Sequence, residues 1–197
     1  MHRSLYSIIA VATLTVPGLA GASTWKIDPA HTSAQFAVRH MMVSTVRGTI
    51  GPVAGTLNLD EADATKSSIV ATVDVNAIDT REPQRDAHLK SADFFDAGTY
   101  PTITFNSKRI TKVGEAKYQV AGDLTIHGVT KEVVLDVEGA PTPFKDPTGS
   151  LRMGGSATTK LNRKDFGLTW NKTLDSGGLV IGDEVAVTID IELIKAQ

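Results

Sequence analysis

The sequence contains no cysteine. That absence excludes disulfide-stapled scaffolds, thiolate metal sites, cysteine nucleophiles and amino-terminal lipoprotein anchors. An excess of one charge is missing too: Lys plus Arg total 20 and Asp plus Glu 22, a formal charge of −2. Dedicated nucleic-acid binders are usually basic overall or along one face, so no nucleic-acid partner is expected. No apolar run approaches the roughly 20 residues that a membrane-spanning helix needs. Repeats, low-complexity tracts and long linkers are absent as well, so nothing divides the 197 residues into two folded domains. With 41 % hydrophobic and 21 % charged residues, the chain can bury a core of its own.

Catalytic signatures are equally scarce. His31, His40, His88 and His127 are scattered, and none lies in the HxH or HExxH spacing that gathers zinc ligands. There is no G-x-S-x-G elbow, no P-loop and no G-x-G-x-x-G turn. No metal, cofactor or catalytic residue is therefore assigned, and the chain reads as something other than an enzyme.

The first segment is of a different kind from the rest. His2 and Arg3 form a basic start, Leu5–Val16 is a short apolar stretch, Pro17-Gly18 breaks it, and Ala20-Gly21-Ala22 gives a small-x-small pattern. This is the build of a secretory leader. Residues 1–22 are expected to be a signal peptide cleaved after Ala22, leaving residues 23–197 as one exported, periplasmic domain.

That domain is patterned for strands. At its carboxyl end Val185, Val187, Ile189, Ile191 and Leu193 alternate with Ala186, Thr188, Asp190 and Glu192, which gives one dry face and one wetter face. The same alternation runs from Ile69 to Ile78 and from Val133 to Glu138. Further strands are expected at 25–28, 33–40, 43–50, 55–59, 102–110, 117–126 and 153–161. Turn residues separate them: Gly51-Pro52, Gly114, His127-Gly128, Gly139 to Pro143 and Asp146 to Gly149. Long one-sided strands joined by short links either pack sheet on sheet or curl into a barrel. Inward candidates include the small residues Ala34, Gly55, Ala71, Ala77 and Gly122, and the larger Phe36, Val38, Val73, Phe105, Leu124, Ile126 and Leu135. Periodicity alone leaves open whether such an interior is filled or hollow.

Residues 82–92 break the alternation. Pro83 suits a first helical turn, and a helix starting near Arg81 would place Arg81, Arg85 and His88 on one face. Arg39 and His40 end one strand, Arg47 lies on the next, and Arg163-Lys164 precede Asp165-Phe166-Gly167. Gathered at a barrel mouth, these cations would hold an anionic head group. The plainer alternative pairs each with a nearby acid, such as Arg85 with Asp93 or Arg163 with Asp165.

Six blocks, in order, resemble one family. They are Trp25-Lys26-Ile27-Asp28-Pro29-Ala30-His31-Thr32-Ser33, then Arg85 to Asp96 (RDAHLKSADFFD), then Tyr100 to Phe105 (YPTITF). Leu124 to Lys131 (LTIHGVTK), Arg163 with Asp165-Phe166-Gly167-Leu168, and Gly182-Asp183-Glu184-Val185 complete the set. Together they resemble the YceI-like family across essentially the whole mature chain. The resemblance implies an all-β fold: an extended, lipocalin-like antiparallel β-barrel of about eight strands with one short inserted helix. It also implies an apolar tunnel that binds a polyisoprenoid, an isoprenoid quinone or a fatty-acid derivative, and it leaves a homodimer open. No family catalytic residue carries over.

The expected function is therefore that of an exported protein that sequesters or carries a long-chain amphiphile. Phe36, Val38, Phe94, Phe105, Leu124, Phe166 and Trp170 are the expected tunnel residues, the phenylalanines at 94 and 166 and the tryptophan near its mouth. Arg39, Arg85 and His88 are the expected head-group contacts. Two alternatives stand beside this: an enzyme acting on an isoprenoid or lipid, with His88 or His31 as base, and a filled-core stress-response or interaction protein.

Overall fold

A computed structural model of the chain describes residues 21–175 and 177–196. Most of the expected leader, residues 1–20, lies outside the described residues. Ten strands form one antiparallel sheet. In chain order they are β1 (Ala22–Ile27), β2 (Ser33–His40), β3 (Ser44–Ile50), β4 (Val53–Asp60), β5 (Ser68–Asp74), β6 (Thr102–Gly114), β7 (Lys117–Ile126), β8 (Val129–Lys145), β9 (Leu151–Asn162) and β10 (Ile181–Lys195). Among the described residues a single α-helix, α1 (Pro83–Lys90), interrupts them.

The spatial order is β1-β4-β5-β6-β7-β8-β9-β10-β2-β3, and β1 also pairs with β10. That last pairing closes a ring. One edge of β10 carries β1 near its carboxyl end (Ile27 opposite Leu193) and β2 further back (Ala34 opposite Ile189). β3 and β4 pair with β2 and β1 in the same way. β1/β2 and β3/β4 are thus two staves, each broken once, at residues 28–32 and at Gly51-Pro52. Counted as staves, the ring is an eight-stranded antiparallel barrel, as the family resemblance implies; the strand periodicity alone leaves packed sheets open as well. Closure leaves few open sheet edges, which answers the aggregation hazard of long exposed strands.

The barrel has a floor and a mouth. At the floor Trp25, only 1 % exposed, packs in one cluster with Ile27, Ala34, Val53, Met153 and Leu193. The break between β1 and β2 is held there by charge. Asp28 takes His31 Nδ1 and the Arg152 guanidinium, each at 2.8 Å. Arg152 also reaches Glu192 and donates to Asp146 (2.6 Å). At the opposite end lie the β2–β3 hairpin, the β7–β8 turn, α1 and residues 163–175 and 177–180.

Several local expectations are corrected. The alternation from Ile69 to Ile78 is strand only as far as Asp74. The Asp74 carboxylate accepts the Asn76 amide (2.8 Å) and caps a single 3-10 turn over Val75–Ala77, so Ala77 is exposed rather than inward. Gly139 to Pro143 is not a turn: β8 runs through it with a register shift between Ala140 and Phe144. Arg81 stands outside α1 at φ 63°, because Glu82 caps the helix by accepting the Gln84 amide (3.2 Å). Arg81 therefore does not share a helical face with Arg85 and His88.

Candidate functional site

The dry faces of the staves enclose a cavity of about 820 Å³ with an almost wholly apolar lining. The alternation read at the carboxyl end is seen directly: Val185, Val187, Ile189, Ile191 and Leu193 all face it. Most are only half-buried although they point inward, because they meet empty space instead of each other. The cavity is continuous from the floor residues Ile27 and Met153 to the exposed Glu82 and Gln84 of the helical end, where it reaches solvent. Its size lies within the range of about 300–1,000 Å³ typical of sites that enclose one small ligand.

All ten residues expected at the site border this cavity. Phe36 and Val38 of β2, Phe105 of β6 and Leu124 of β7 form its wall. Phe94, Phe166 and Trp170 gather at the mouth. His88 stands edge-on to both Phe94 (ring centroids 5.0 Å apart) and Trp170 (4.8 Å), with Phe94 and Trp170 5.2 Å apart. Its Nε2 pairs with Asp93 Oδ2 at 2.9 Å, which orients the ring.

The two arginines are more committed. Arg85 donates Nε to Thr80 Oγ1 (2.7 Å) and an amino group to the Thr80 carbonyl (2.9 Å). Its expected acidic partner, Asp93, belongs to His88 instead. Arg39 lies at the cavity edge but spends its guanidinium on the Met42 carbonyl (2.7 Å) and Thr45 Oγ1 (3.1 Å). Charge-assisted donors remain on both, because five guanidinium N–H groups outnumber these bonds.

Arg163 plays a part that its sequence position hid. It is 5 % exposed, and its guanidinium donates to the carbonyls of Gly182 (2.9 Å), Trp170 (2.9 Å) and Leu168, with Asp183 at 3.4 Å rather than Asp165. Burial pulls its pKa down while Asp183 opposes this. A buried cation that satisfies three carbonyls fixes the loop carrying Trp170. Tyr118, Leu89 and Phe95 also line the cavity without having been singled out. The signal for Tyr118 was there: it continues the inward period of Val120 and Leu124.

The remaining family histidines lie away from the cavity. His127 sits in the β7–β8 turn with its ring 4.8 Å from that of Tyr100. His31, Asp28 and Glu192 come close enough to suggest a cation site, but Arg152 already occupies both carboxylates. Among the described residues, no helix is long and apolar enough to cross a membrane.

An antiparallel barrel of eight staves around a hollow apolar chamber, with one helix beside its mouth, is the class of protein these features define. Its build is that of a binding protein. The comparisons give the family: the YceI-like domain matches residues 25–193, and the chain belongs to that family. A UPF0312 protein of Vibrio cholerae is 38 % identical over 172 residues, covering 85 % of this chain and 89 % of its own. A UPF0312 protein of Staphylococcus aureus is 34 % identical over 163 residues, covering 83 % and 92 %. Among solved structures, BcnA of Burkholderia cenocepacia superposes with a TM-score of 0.70 at 26 % identity, over 84 % of this chain and 98 % of that one. A YceI protein of Campylobacter jejuni gives 0.68 at 30 % identity, over 81 % and 90 %. A polyisoprenoid-binding domain of Saccharophagus degradans shares the fold, with a TM-score of 0.62 at 16 % identity over 87 % and 98 %.

Proposed function

We propose that this protein binds one long-chain amphiphile, a polyisoprenoid, isoprenoid quinone or fatty-acid derivative, and carries or sequesters it outside the cytoplasm. The hollow apolar chamber carries the reading: inward side chains that do not meet one another leave a volume that only an apolar guest fills well. The Saccharophagus domain, named for polyisoprenoid binding, supports the choice of ligand class. The amino-terminal segment supports export to the periplasm: a basic start, a short apolar stretch and Ala20-Gly21-Ala22 have the build of a secretory leader.

Magnitudes set the division of labour. A buried methylene is worth about 0.8 kcal/mol, so a five-carbon isoprene unit contributes roughly 3–4 kcal/mol before the costs of ordering. One charge-assisted head-group bond contributes about 1.5–3 kcal/mol. The chain therefore provides affinity, and Arg39, Arg85 and His88 provide orientation and selectivity. No catalytic step is needed for either.

The test is native mass spectrometry of protein purified from its own host, followed by amino-terminal sequencing and organic extraction. A stoichiometric long-chain lipid on a chain beginning at Ser23 is the expected result. Folded protein that carries no lipid and takes none up on mixing overturns the reading. A chemically altered lipid replaces it with an enzyme.

A further inference from the structure

The β2–β3 hairpin ends in Met41-Met42-Val43, three large apolar side chains held out in solvent. They are 42 %, 68 % and 80 % exposed, respectively. Met41 and Met42 both lie at positive φ, 48° and 62°, where hairpin turns usually place Asn or Gly. Nothing about the turn itself calls for methionine.

The tip is nonetheless fixed. The Val43 amide donates to the His40 carbonyl (3.1 Å) and the Met41 amide to the Val180 carbonyl (2.8 Å). Arg39 donates to the Met42 carbonyl (2.7 Å). Leu179, exposed beside Val180, extends the apolar patch. The patch abuts the mouth, because His40, Val180 and Ile181 line the cavity.

The hairpin's own charge is one-sided, with Asp79, bridged to Thr49 of β3, an acid beside it. No carboxylate lies between Asp28 and Asp60, while Arg39 and Arg47 stand exposed on the two hairpin strands. Lys172 joins them from the adjoining loop, where its carbonyl accepts the Val180 amide (3.0 Å). Asp175 is the acid of that loop. Apolar side chains at a tip, with Arg39 just behind them and Arg47 three residue pairs below the closing pair His40–Ser44, match the acyl and headgroup layers of an anionic bilayer.

We infer that the hairpin tip docks the barrel on an anionic lipid surface. Met41, Met42 and Val43 enter the acyl boundary, Arg39, Arg47 and Lys172 lie among the phosphates, and the mouth then faces the membrane from which a chain can enter. The inference rests on the chamber reading for its purpose but not for its test.

Co-sedimentation with vesicles of phosphatidylcholine, with and without phosphatidylglycerol, measures docking. Uptake of a prenol dispersed in ethanol measures the chamber alone. The wild type is expected to bind the anionic vesicles, less so as salt rises. Met42→Ser/Val43→Ser should weaken this at least about tenfold and Arg47→Gln about fivefold, with uptake from ethanol unchanged in both. Absence of vesicle binding with uptake intact overturns docking and leaves the chamber reading standing. Vesicle binding without uptake does the reverse. If Met42→Ser/Val43→Ser instead dissociates a dimer and spares vesicle binding, the tip joins two copies of this chain and the inference is wrong.

Discussion

Phe36 on β2 and Gly48 on β3 are direct cross-strand partners, and the ring covers the place a side chain would take: a Cβ on Gly48 would stand 2.6 Å from Phe36 Cζ. Phe105 lies in the same way over Gly122, again at 2.6 Å. Two large rings thus rest against the wall instead of crossing the lumen. The chamber is hollow partly because two of its wall phenylalanines are folded onto glycines.

Gly48→Ala should push the Phe36 ring inward and cost about 1–3 kcal/mol of stability, the usual range for overpacking. Adding Phe36→Ala should recover only part of this, since the Asp79 carbonyl would still lie 2.8 Å from the new Cβ. Urea titrations of both singles and the double variant give the coupling between the two sites.

Loading the chamber should stabilise the barrel. Ligand at a hundred times its Kd adds about 2.7 kcal/mol, which for a domain of this size raises Tm by roughly 5–10 °C. Thermal melts of lipid-stripped protein with prenols of increasing length should show Tm rising with each isoprene unit until the chain outgrows the cavity. A flat response would mean that the chamber does not hold them.

His88→Ala should leave binding of an uncharged long-chain alcohol nearly intact. It should weaken a matched phosphate- or carboxylate-headed ligand by about 1.5–3 kcal/mol, the worth of one charge-assisted bond. Equal losses for both ligands, measured by calorimetry, would make His88 a packing residue of the Phe94–Trp170 cluster.

Stability should fall in acid for an identifiable reason. His31 and then Arg152 hold the Asp28 carboxyl at about 2, below its ordinary 3.8. Arg152 and Thr148 hold Asp146 below the usual carboxylate range. Because both are depressed in the folded state, their stabilisation is complete above roughly pH 4 and disappears as pH falls toward 2. Urea midpoints should therefore drop steeply below about pH 4, and Arg152→Ala should flatten that slope while lowering the midpoint at neutral pH.

The parts of this molecule that sequence makes legible are those set by local periodicity. β10 reads correctly because five apolar residues at period two can only line one face. The helix reads correctly because Pro83 opens it and alternation stops. Where a tertiary contact decided the outcome, pattern misled. Val75 continues the alternation of β5, yet it is 1 % exposed as part of a 3-10 turn capped by Asp74, and burial looks the same from either structure. Pro141 and Pro143 read as breakers, but they fall in the register shift of β8, where ladder donors are not required. At the site, residue types on one face were readable; their hydrogen bonds were not. Nothing local tells that Asp93 goes to His88, or that Arg163 reaches across to the carbonyls of 168, 170 and 182.

β1 joins β10 through three residue pairs, Trp25 with Lys195, Lys26 with Ile194 and Ile27 with Leu193, beside the longer seam of β2 with β10. These contacts span nearly the whole chain, the kind of non-local pairing that makes folding slow. A ribosome must deliver β10 before there is an inside at all. Until then the polypeptide is an open, unlatched sheet, and any truncation that removes 193–195 should undo the pairing of β1 with β10.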